Sequence, residues 1–270
     1  MKKSKETIVI CITDAHIGKE TSTFNLSTAR SRVKNFGKTI SRVSELMSAG
    51  CVFDKAVVLF LGDINDGTQI YKTQPHHQAE TDVNTQAVVA AEVLFLPLLE
   101  QFQELFGKVE VHGVAGNHGL SSRFAHEASN WDLVFYHYLR MLTKKNKDIN
   151  INVYPDFIHV VPVRNHGILM YHGHEIRSFQ QIPWYGVTQR ALRWTAAKRL
   201  PDWDVMTMGH FHTFGLQEIN KFSILMNGTM VTDDEWSLQT IGYESSNKWW
   251  VWGVSAKRPI TWSFGVDLIS

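Results

Sequence analysis

The first half of the chain alternates short apolar runs with longer segments of helical periodicity. Runs at residues 7–13, 56–61 and 109–115 are rich in β-branched side chains and predict buried strands. After the first run, apolar residues recur at spacings of three and four, which predicts an amphipathic helix that ends at Gly50. The apolar positions of this helix are Val33, Phe36, Ile40, Val43 and Met47.

Two further helices are predicted in this half. A polar stretch over residues 65–84 leads into a long helix that reaches about Phe106. Pro97 lies inside this helix and is expected to kink it, because proline has no backbone N–H to donate. Another helix is predicted over residues 130–142, with Asn130 as its N-cap.

The second half of the chain is dominated by strand patterns. Residues 157–163 and 167–171 flank a hairpin turn, and residues 204–208 and 222–226 predict further strands. The C-terminal part is rich in Trp and alternates as in an antiparallel sheet, with its Trp side chains packing a small terminal sheet. We therefore predict an α/β fold in which two sheets pack face to face with helices outside. The whole chain is expected to form one domain, with a strand-rich C-terminal segment over residues 222–270.

Composition limits the classes of function. The chain has 270 residues, 44% of them hydrophobic, and its net charge of +1 argues against attracting a polyanion by bulk charge. Metal ions or local patches would have to attract such a substrate. Cys11 and Cys51 are too few for a disulfide framework and are expected to be reduced core thiols. The apolar run at residues 8–12 is too short for a signal peptide or a membrane helix, so we expect a cytoplasmic protein without membrane contact.

Side chains that can bind metals follow five of the predicted strands. They are Asp14, His16, Asp63, Asn117, His172, His210 and His212. Sites in α/β sheets are built at the carboxyl edge of the strands, so we expect these side chains to converge. In an extended segment residues i and i+2 point the same way, so Asp14 and His16 could reach one point, as could His210 and His212.

The chemistry of these donors indicates two metal ions. Oxygen and imidazole donors without thiolate suit Mn, Fe, Zn or Ni, and seven donors exceed the needs of one tetrahedral site. They suit two ions that share a bridging carboxylate. Such a pair can activate a water molecule and clamp the oxygens of a phosphoryl group, which predicts a phosphoesterase.

The motifs DxH, GDxxD, GNH, H and GHxH occur in this order between Asp14 and His212. In this respect the chain resembles the calcineurin-like metallophosphoesterase superfamily. The resemblance implies a four-layer α-β-β-α sandwich. It assigns one ion to Asp14, His16 and His212, with Asp63 as the bridge. The residues implied for the other ion are Asn117, His172 and His210.

The resemblance also implies two residues that act on the substrate. His118 would face the leaving-group oxygen as a general acid or charge stabiliser. Asp66 matches the second Asp of GDxxD and would orient His118. The motif usually continues with an acidic residue where this chain has Gly119. That departure gives Asp66 more weight and makes a protein phosphatase less favoured.

Residues 116–132 and 226–236 are similar to phage-encoded SbcD-like DNA repair exonucleases. This similarity implies a phosphodiesterase that cleaves DNA with two divalent ions, Mn foremost, in a phage host's cytoplasm. No ATPase-binding capping region is expected. The alternative is a phosphomonoesterase or a nucleotide-directed phosphodiesterase, and a non-catalytic scaffold would require missing ligands. The metal, the strand preference and the choice between endo- and exonuclease stay open.

Five residues are candidates for substrate contact. They are His76, His77, Arg123, Arg190 and Arg193. His76 and His77 fall in the polar stretch after Asp63, and Arg123 follows the GNH motif. Arg190 and Arg193 lie in a basic segment with neighbouring aromatic residues, a composition that binds single strands. The alternative for that segment is a surface helix with its Trp residues packed inward.

Overall fold

The computed structural model describes residues 3–68, 79–177, 183–197, 200–233 and 245–269. Within these ranges the chain forms two β-sheets and a set of helices. The strands are β1 (Ser4–Ile12), β2 (Cys51–Phe60), β3 (Val109–Gly113), β4 (Ile149–Val153), β5 (Ile158–Val163), β6 (His166–Tyr171), β7 (Val205–Met208), β8 (Gly215–Ile219), β9 (Phe222–Met226), β10 (Lys248–Val254) and β11 (Trp262–Asp267). The helices are α1 (Leu26–Met47), α2 (Val83–Val89), α3 (Leu96–Phe106), α4 (Trp131–Leu142) and α5 (Trp184–Ala197).

Both sheets are mixed, with parallel strands at their centres. The six-stranded sheet has the order β11-β10-β1-β2-β3-β4, and β1 to β4 run parallel to one another. The five-stranded sheet has the order β5-β6-β7-β9-β8, in which β6, β7 and β9 are parallel. The ends of β1, β2 and β3 therefore lie along one edge of the first sheet, and those of β6 and β7 along one edge of the second.

An apolar layer joins the inner faces of the two sheets. Val9 and Val57 of the first sheet lie in one buried cluster with Met170, Val205 and Leu225 of the second. Each of these residues comes from a strand whose alternate side chains point to the opposite face. This packing of two sheets with helices outside confirms the predicted fold class.

Helices cover the outer faces of the sheets. Phe60 of β2 contacts Phe95 and Phe135 edge-on, with ring centroids 5.2 and 5.5 Å apart. On the other side, Tyr171 of β6 packs against Trp194 of α5 with 4.9 Å between ring centroids. Trp184 and Trp194 of α5 both pack against the core, as the alternative interpretation of that segment expected.

The long helix predicted to reach Phe106 is present but not uniform. A π-helical segment, Ala90–Phe95, separates α2 from α3 and ends two residues before Pro97. The proline lacks an N–H for the regular ladder, and the looser segment accommodates it. Residues 83–106 are long and apolar enough to span a membrane by composition, and Leu94, Leu99 and other residues of this helix are buried in the core. Helices that pack into a protein core share this property.

Three features of the sheets differ from the prediction. The Trp-rich strand β10 does not start a separate terminal sheet but pairs with β1, and Trp249 packs on Phe36 of α1. Strands β4 and β8 were not predicted; each has five residues and pairs at the outer edge of its sheet. Much of the polar stretch over residues 65–84 lies outside the described residues.

Candidate metal centre

The seven predicted metal ligands lie together where strands of both sheets end. The first group has donor atoms of Asp14, His16 and His212 within 4.8 Å of one another, and the second has those of Asp63, His172 and His210. The first sheet supplies the carboxylates and the second sheet the GHxH histidines. Packing of the two sheets thus forms the site.

In the first group three side chains point at one another. Nε2 of His16 lies 3.2 Å from Nε2 of His212. Oδ1 of Asp14 lies 3.3 Å from Nε2 of His212 and 3.9 Å from Nε2 of His16. Asp14 and His16 are almost wholly buried. Two facing imidazoles beside a buried carboxylate are a donor set that fits one divalent cation.

The second group is centred on Asp63 and His172. Oδ2 of Asp63 lies 3.0 Å from Nε2 of His172, and Oδ1 of Asn117 lies 2.9 Å from the same nitrogen. His210 is close, with its ring centroid 5.2 Å from that of His172. Two imidazoles, a carboxylate and an amide oxygen fit a second divalent cation.

Hydrogen bonds outside the two groups orient several of these side chains. Nδ1 of His172 lies 2.8 Å from the carbonyl oxygen of Leu61, which directs Nε2 toward Asp63 and Asn117. The hydroxyl of Thr13 donates to Oδ2 of Asp14 over 2.6 Å. The backbone N–H of His210 donates to the same carboxylate. These hydrogen bonds fix the directions of the donor side chains.

The electrostatics of the site favour bound cations. Burial alone would raise the pKa of Asp63, but His172 and His118 outweigh it and hold the pKa well below its usual range. Burial alone would lower the pKa of His172, but the carboxylates of Asp63 and Asp14 raise it to about 9. Buried carboxylates that stay ionised create a negative field, which attracts divalent ions.

The backbone at five of the predicted ligands is not extended. Asp14, His16, Asp63, His210 and His212 all have positive φ angles, between 43 and 69°. Extended alternation therefore does not align Asp14 with His16 or His210 with His212, and that prediction was wrong, because β1 and β7 end before these residues. Left-handed backbone at non-glycine residues costs on the order of 1–3 kcal/mol each and is concentrated at functional sites.

His118 and Asp66 lie beside the first group. Oδ1 of Asp66 is 3.4 Å from Nδ1 of His16 and 3.6 Å from Nδ1 of His118. The backbone N–H of His118 donates to Oδ1 of Asp63 over 2.8 Å. Burial alone would lower the pKa of His118, but Asp63 and Asp66 raise it to about 8. The side chain of His118 is 20% exposed, so it can face a substrate.

Donor atoms of His118 also lie within 4.8 Å of His16 and Asp63. His174 packs near the second group, with its ring centroid 6.2 Å from that of His210. Burial, together with His172, lowers the pKa of His174 to about 4. His118 therefore lies beside the first group and His174 beside the second.

The candidate substrate residues have different surroundings. Arg123 and Arg193 are exposed. Arg190 donates to the carbonyl oxygen of Glu175 over 3.1 Å and lies over the ring of Trp194. It therefore supports the loop after His172. His76 and His77 lie outside the described residues.

Sequence reasoning missed two supporting residues. The carboxylate of Asp132 accepts backbone hydrogen bonds from Asp63 and Gly116, over 2.8 and 3.0 Å. The hydroxyl of Thr229 donates to the carbonyl oxygen of Asp14 over 2.7 Å. An Asp in the first turn of a helix is common, so Asp132 carried no distinct signal. Both residues lie far along the chain from the backbone they support.

Fold and site together define the class of protein. Two packed mixed sheets present carboxylate, amide and imidazole donors in two adjoining groups, the arrangement of a dinuclear metal-dependent phosphoesterase. A family model, calcineurin-like phosphoesterase, matches residues 8–243, and the chain belongs to this family. Family membership supports a metal-dependent hydrolase that acts on phosphate esters.

Solved structures with similar folds share little sequence with the chain. Vps29 from Cryptosporidium parvum is 13% identical with a TM-score of 0.45, and the match covers 93% of this chain and 86% of that chain. An archaeal phosphodiesterase is 10% identical with a TM-score of 0.42, covering 96% and 99%. Yfce, a phosphoesterase from E. coli, is 13% identical with a TM-score of 0.37, covering 96% and 100%. Comparison with curated protein sequences gives no match.

Proposed function

We propose that this protein is a nuclease that hydrolyses phosphodiester bonds of DNA with two divalent ions, Mn foremost. The position of His118 is the observation that supports hydrolysis of a phosphate ester. Its imidazole is partly exposed beside two buried ligand groups, and Asp66 lies on its Nδ1 side. A proton donor next to a dinuclear site can protonate the leaving oxygen during cleavage of a phosphate ester.

The bound ions would supply Lewis-acid activation of water and neutralise charge on the phosphoryl oxygens. The chain's own residues position these ions and complete the proton transfer. Nδ1 of His118 lies 3.3 Å from the carbonyl oxygen of Asp66, which fixes the proton of that nitrogen inward. Nε2 is then the nitrogen that gives a proton to the leaving oxygen as the phosphorus–oxygen bond breaks.

The preference for DNA is supported by the loop that follows His118. Arg123 is exposed there, and the neighbouring Phe124 is 97% exposed. An exposed aromatic ring can stack on a base, and a neighbouring guanidinium can contact a phosphate. Arg193 on α5 adds a second exposed cation. These features suit a strand that runs past the site better than one terminal phosphate.

The test compares four substrates with one preparation. Protein stripped of metal and reloaded with Mn²⁺ is incubated with end-labelled single- and double-stranded DNA, an aryl phosphate diester and an aryl phosphate monoester. We expect DNA and the diester to be cleaved, and His118→Ala to cleave both more slowly by about 100-fold or more. If the monoester turns over readily while DNA stays intact, the phosphomonoesterase alternative replaces the nuclease.

A further inference from the structure

We propose that Asp132 is a positioning residue that sets the affinity of the metal group formed by Asp63, Asn117, His172 and His210. The inference rests on the proposed function only in assuming that this group holds a metal. The carboxylate of Asp132 does not belong to either group of metal-binding side chains. It acts through the backbone segments that carry Asp63 and Asn117.

The carboxylate of Asp132 is fully buried and accepts hydrogen bonds from two separate segments. Oδ2 accepts the backbone N–H groups of Asp63 and Gly116, over 2.8 and 3.0 Å. Oδ1 accepts those of Ile64 and Asn65, over 3.1 and 3.2 Å, and also the side-chain amide of Asn65. One side chain therefore holds the turn after β2 against the turn after β3.

Capping of α4 does not explain this arrangement. Asn130 already caps the helix, because its Oδ1 accepts the N–H of Asp132 over 2.9 Å. The hydrogen bonds to the Asp132 carboxylate come from residues 63–65 and Gly116, which lie outside the helix. Asn130 also donates from its side chain to the carbonyl oxygen of Gly116 over 2.8 Å. Asn130 and Asp132, at the start of α4, therefore hydrogen-bond both the N–H and the C=O of Gly116, in the turn that carries Asn117.

Two glycines let the turns approach closely enough for this contact. A Cβ atom on Gly62 would meet the backbone nitrogen of Gly116 at 2.5 Å. A Cβ atom on Gly116 would collide with the backbone nitrogen and the carboxylate of Asp63. The two turns therefore meet backbone to backbone, and the carboxylate of Asp132 bonds both of them at this junction.

The contact bears directly on the metal ligands. The Asp63 carboxylate faces His172 and also accepts the N–H of His118, so its direction depends on both turns. A buried carboxylate is costly, and burial together with the charge of Asp63 raises the pKa of Asp132 to about 6. A purely structural role would be met at lower cost by a neutral side chain. A charged acceptor is suited to hold four backbone N–H groups in fixed directions.

The test is metal binding by Asp132→Asn, which keeps the shape but places an NH₂ group against backbone donors. Mn²⁺ is titrated calorimetrically into stripped protein, and electron paramagnetic resonance distinguishes a coupled ion pair from a single ion. We expect one binding step to weaken about 10- to 100-fold, the usual effect of removing an outer hydrogen-bond partner. The other step should persist, with the spectrum of a single ion at intermediate Mn²⁺ concentration.

Thr229→Val is the matched control. Thr229 is also buried, but it supports Asp14, which belongs to the other group. This variant should weaken the step that Asp132→Asn leaves intact. Wild-type binding of both ions by Asp132→Asn would overturn the proposal. Equal weakening of both steps in both variants would also overturn it, because it would show only general destabilisation.

A second variant tests the positioning role of Asp132 if Asp132→Asn does not fold. Asn65→Ala keeps the carboxylate and removes the side-chain amide that donates to it. Amide exchange at Ile64 and Gly116 should accelerate, and the same metal step should weaken about 3-fold, as expected for one lost hydrogen bond. Unchanged exchange and binding would overturn the proposal. Neither titration depends on which phosphate ester the protein cleaves, so failure of the nuclease proposal is recognised separately.

Discussion

Asp66 is held against His118, with Oδ1 of the carboxylate 3.6 Å from Nδ1 of the imidazole. The same oxygen lies 3.4 Å from Nδ1 of His16, so one carboxylate contacts both the proposed proton donor and a predicted ligand of the first metal group. Asp66 is almost completely buried. Its negative charge therefore acts on both rings with little screening by solvent.

For His118→Ala we predict a fall in kcat of about 100-fold or more, the usual effect of losing a positioned acid. Metal content should stay at the wild-type level, because the imidazole is assigned to the substrate side. Elemental analysis and steady-state kinetics on an aryl diester check both parts. Loss of an ion from this variant would instead make His118 a ligand, as its closeness to His16 and Asp63 allows.

Asp66→Asn should give a different result from His118→Ala. The neutral amide would no longer stabilise a protonated His118, so kcat should fall by about 10-fold or more. The substitution would also replace the carboxylate beside His16 with an amide. The affinity for one ion should therefore decrease by about 10- to 100-fold, the usual effect of changing a hydrogen-bond partner of a metal ligand. Calorimetric Mn²⁺ titration measures the second effect. Wild-type metal binding in Asp66→Asn would limit its role to His118.

Asp63→Asn tests the bridge between the two groups. The carboxylate faces His172 on one side, and its group adjoins His16 on the other. We expect the metal content to drop below two ions per chain, with activity reduced by more than about 100-fold. Asp148→Asn, an exposed carboxylate before β4, is the control and should keep both ions. Two ions retained at wild-type affinity in Asp63→Asn would exclude the bridging role.

Much of this site could be predicted because its ligands follow strands with strong apolar patterns. Asp14 and Asp63 come directly after buried runs, and parallel pairing of β1 with β2 brings the ends of those runs together. The left-handed backbone of these residues could not be predicted, since nothing in Asp or His requires it. It depends on contacts from distant segments, such as the hydroxyl of Thr229 on the carbonyl of Asp14.

The missed elements had weak local patterns. Strand β4 alternates Ile with Asn over five residues, and β8 contains Gly, Gln and Glu. Their place at a sheet edge requires few apolar side chains, so pairing with β3 and β9 decides their conformation. The role of Asp132 depends likewise on long-range contact, because its partners lie between 16 and 69 residues away in sequence.

The pair Glu110 and His112 makes a prediction about stability. Nε2 of His112 lies 3.0 Å from Oε1 of Glu110, and Lys55 pairs with the other oxygen. The hydrogen bond from His112, opposed by burial and aided by Lys55, lowers the pKa of Glu110 to about 2. The pKa in the unfolded chain is about 4.3. The stabilisation is therefore present above about pH 4.3 and is lost as the pH falls toward about 2.

Glu110→Gln should consequently reduce the free energy of unfolding by about 1 kcal/mol at pH 7, since the pair is partly exposed to solvent. The difference from wild type should shrink as the pH falls from about 4.3. Urea unfolding of metal-stripped proteins between pH 7 and pH 3 measures it. Glu104→Gln, at an exposed position of α3, is the control. A difference that stays constant across this range would show that the charge of Glu110 is not responsible.

Arg193 offers the cleanest test of contact with a nucleic acid. It is exposed on α5, whereas the neighbouring Arg190 holds the carbonyl of Glu175 and its removal would disturb the loop after His172. If Arg193 pairs with a phosphate of bound DNA, Arg193→Gln should raise KM for DNA and reduce the slope of log affinity against log salt by about one. Hydrolysis of an aryl diester, which has no flanking phosphates, should stay unchanged.

Arg42→Gln on α1 removes an exposed cation from a helix outside the first sheet and should leave the salt slope at its wild-type value. An unchanged slope in Arg193→Gln, or an equal change in both variants, would place the path of the strand elsewhere, with the loop that carries Arg123 and Phe124 as the next segment to vary.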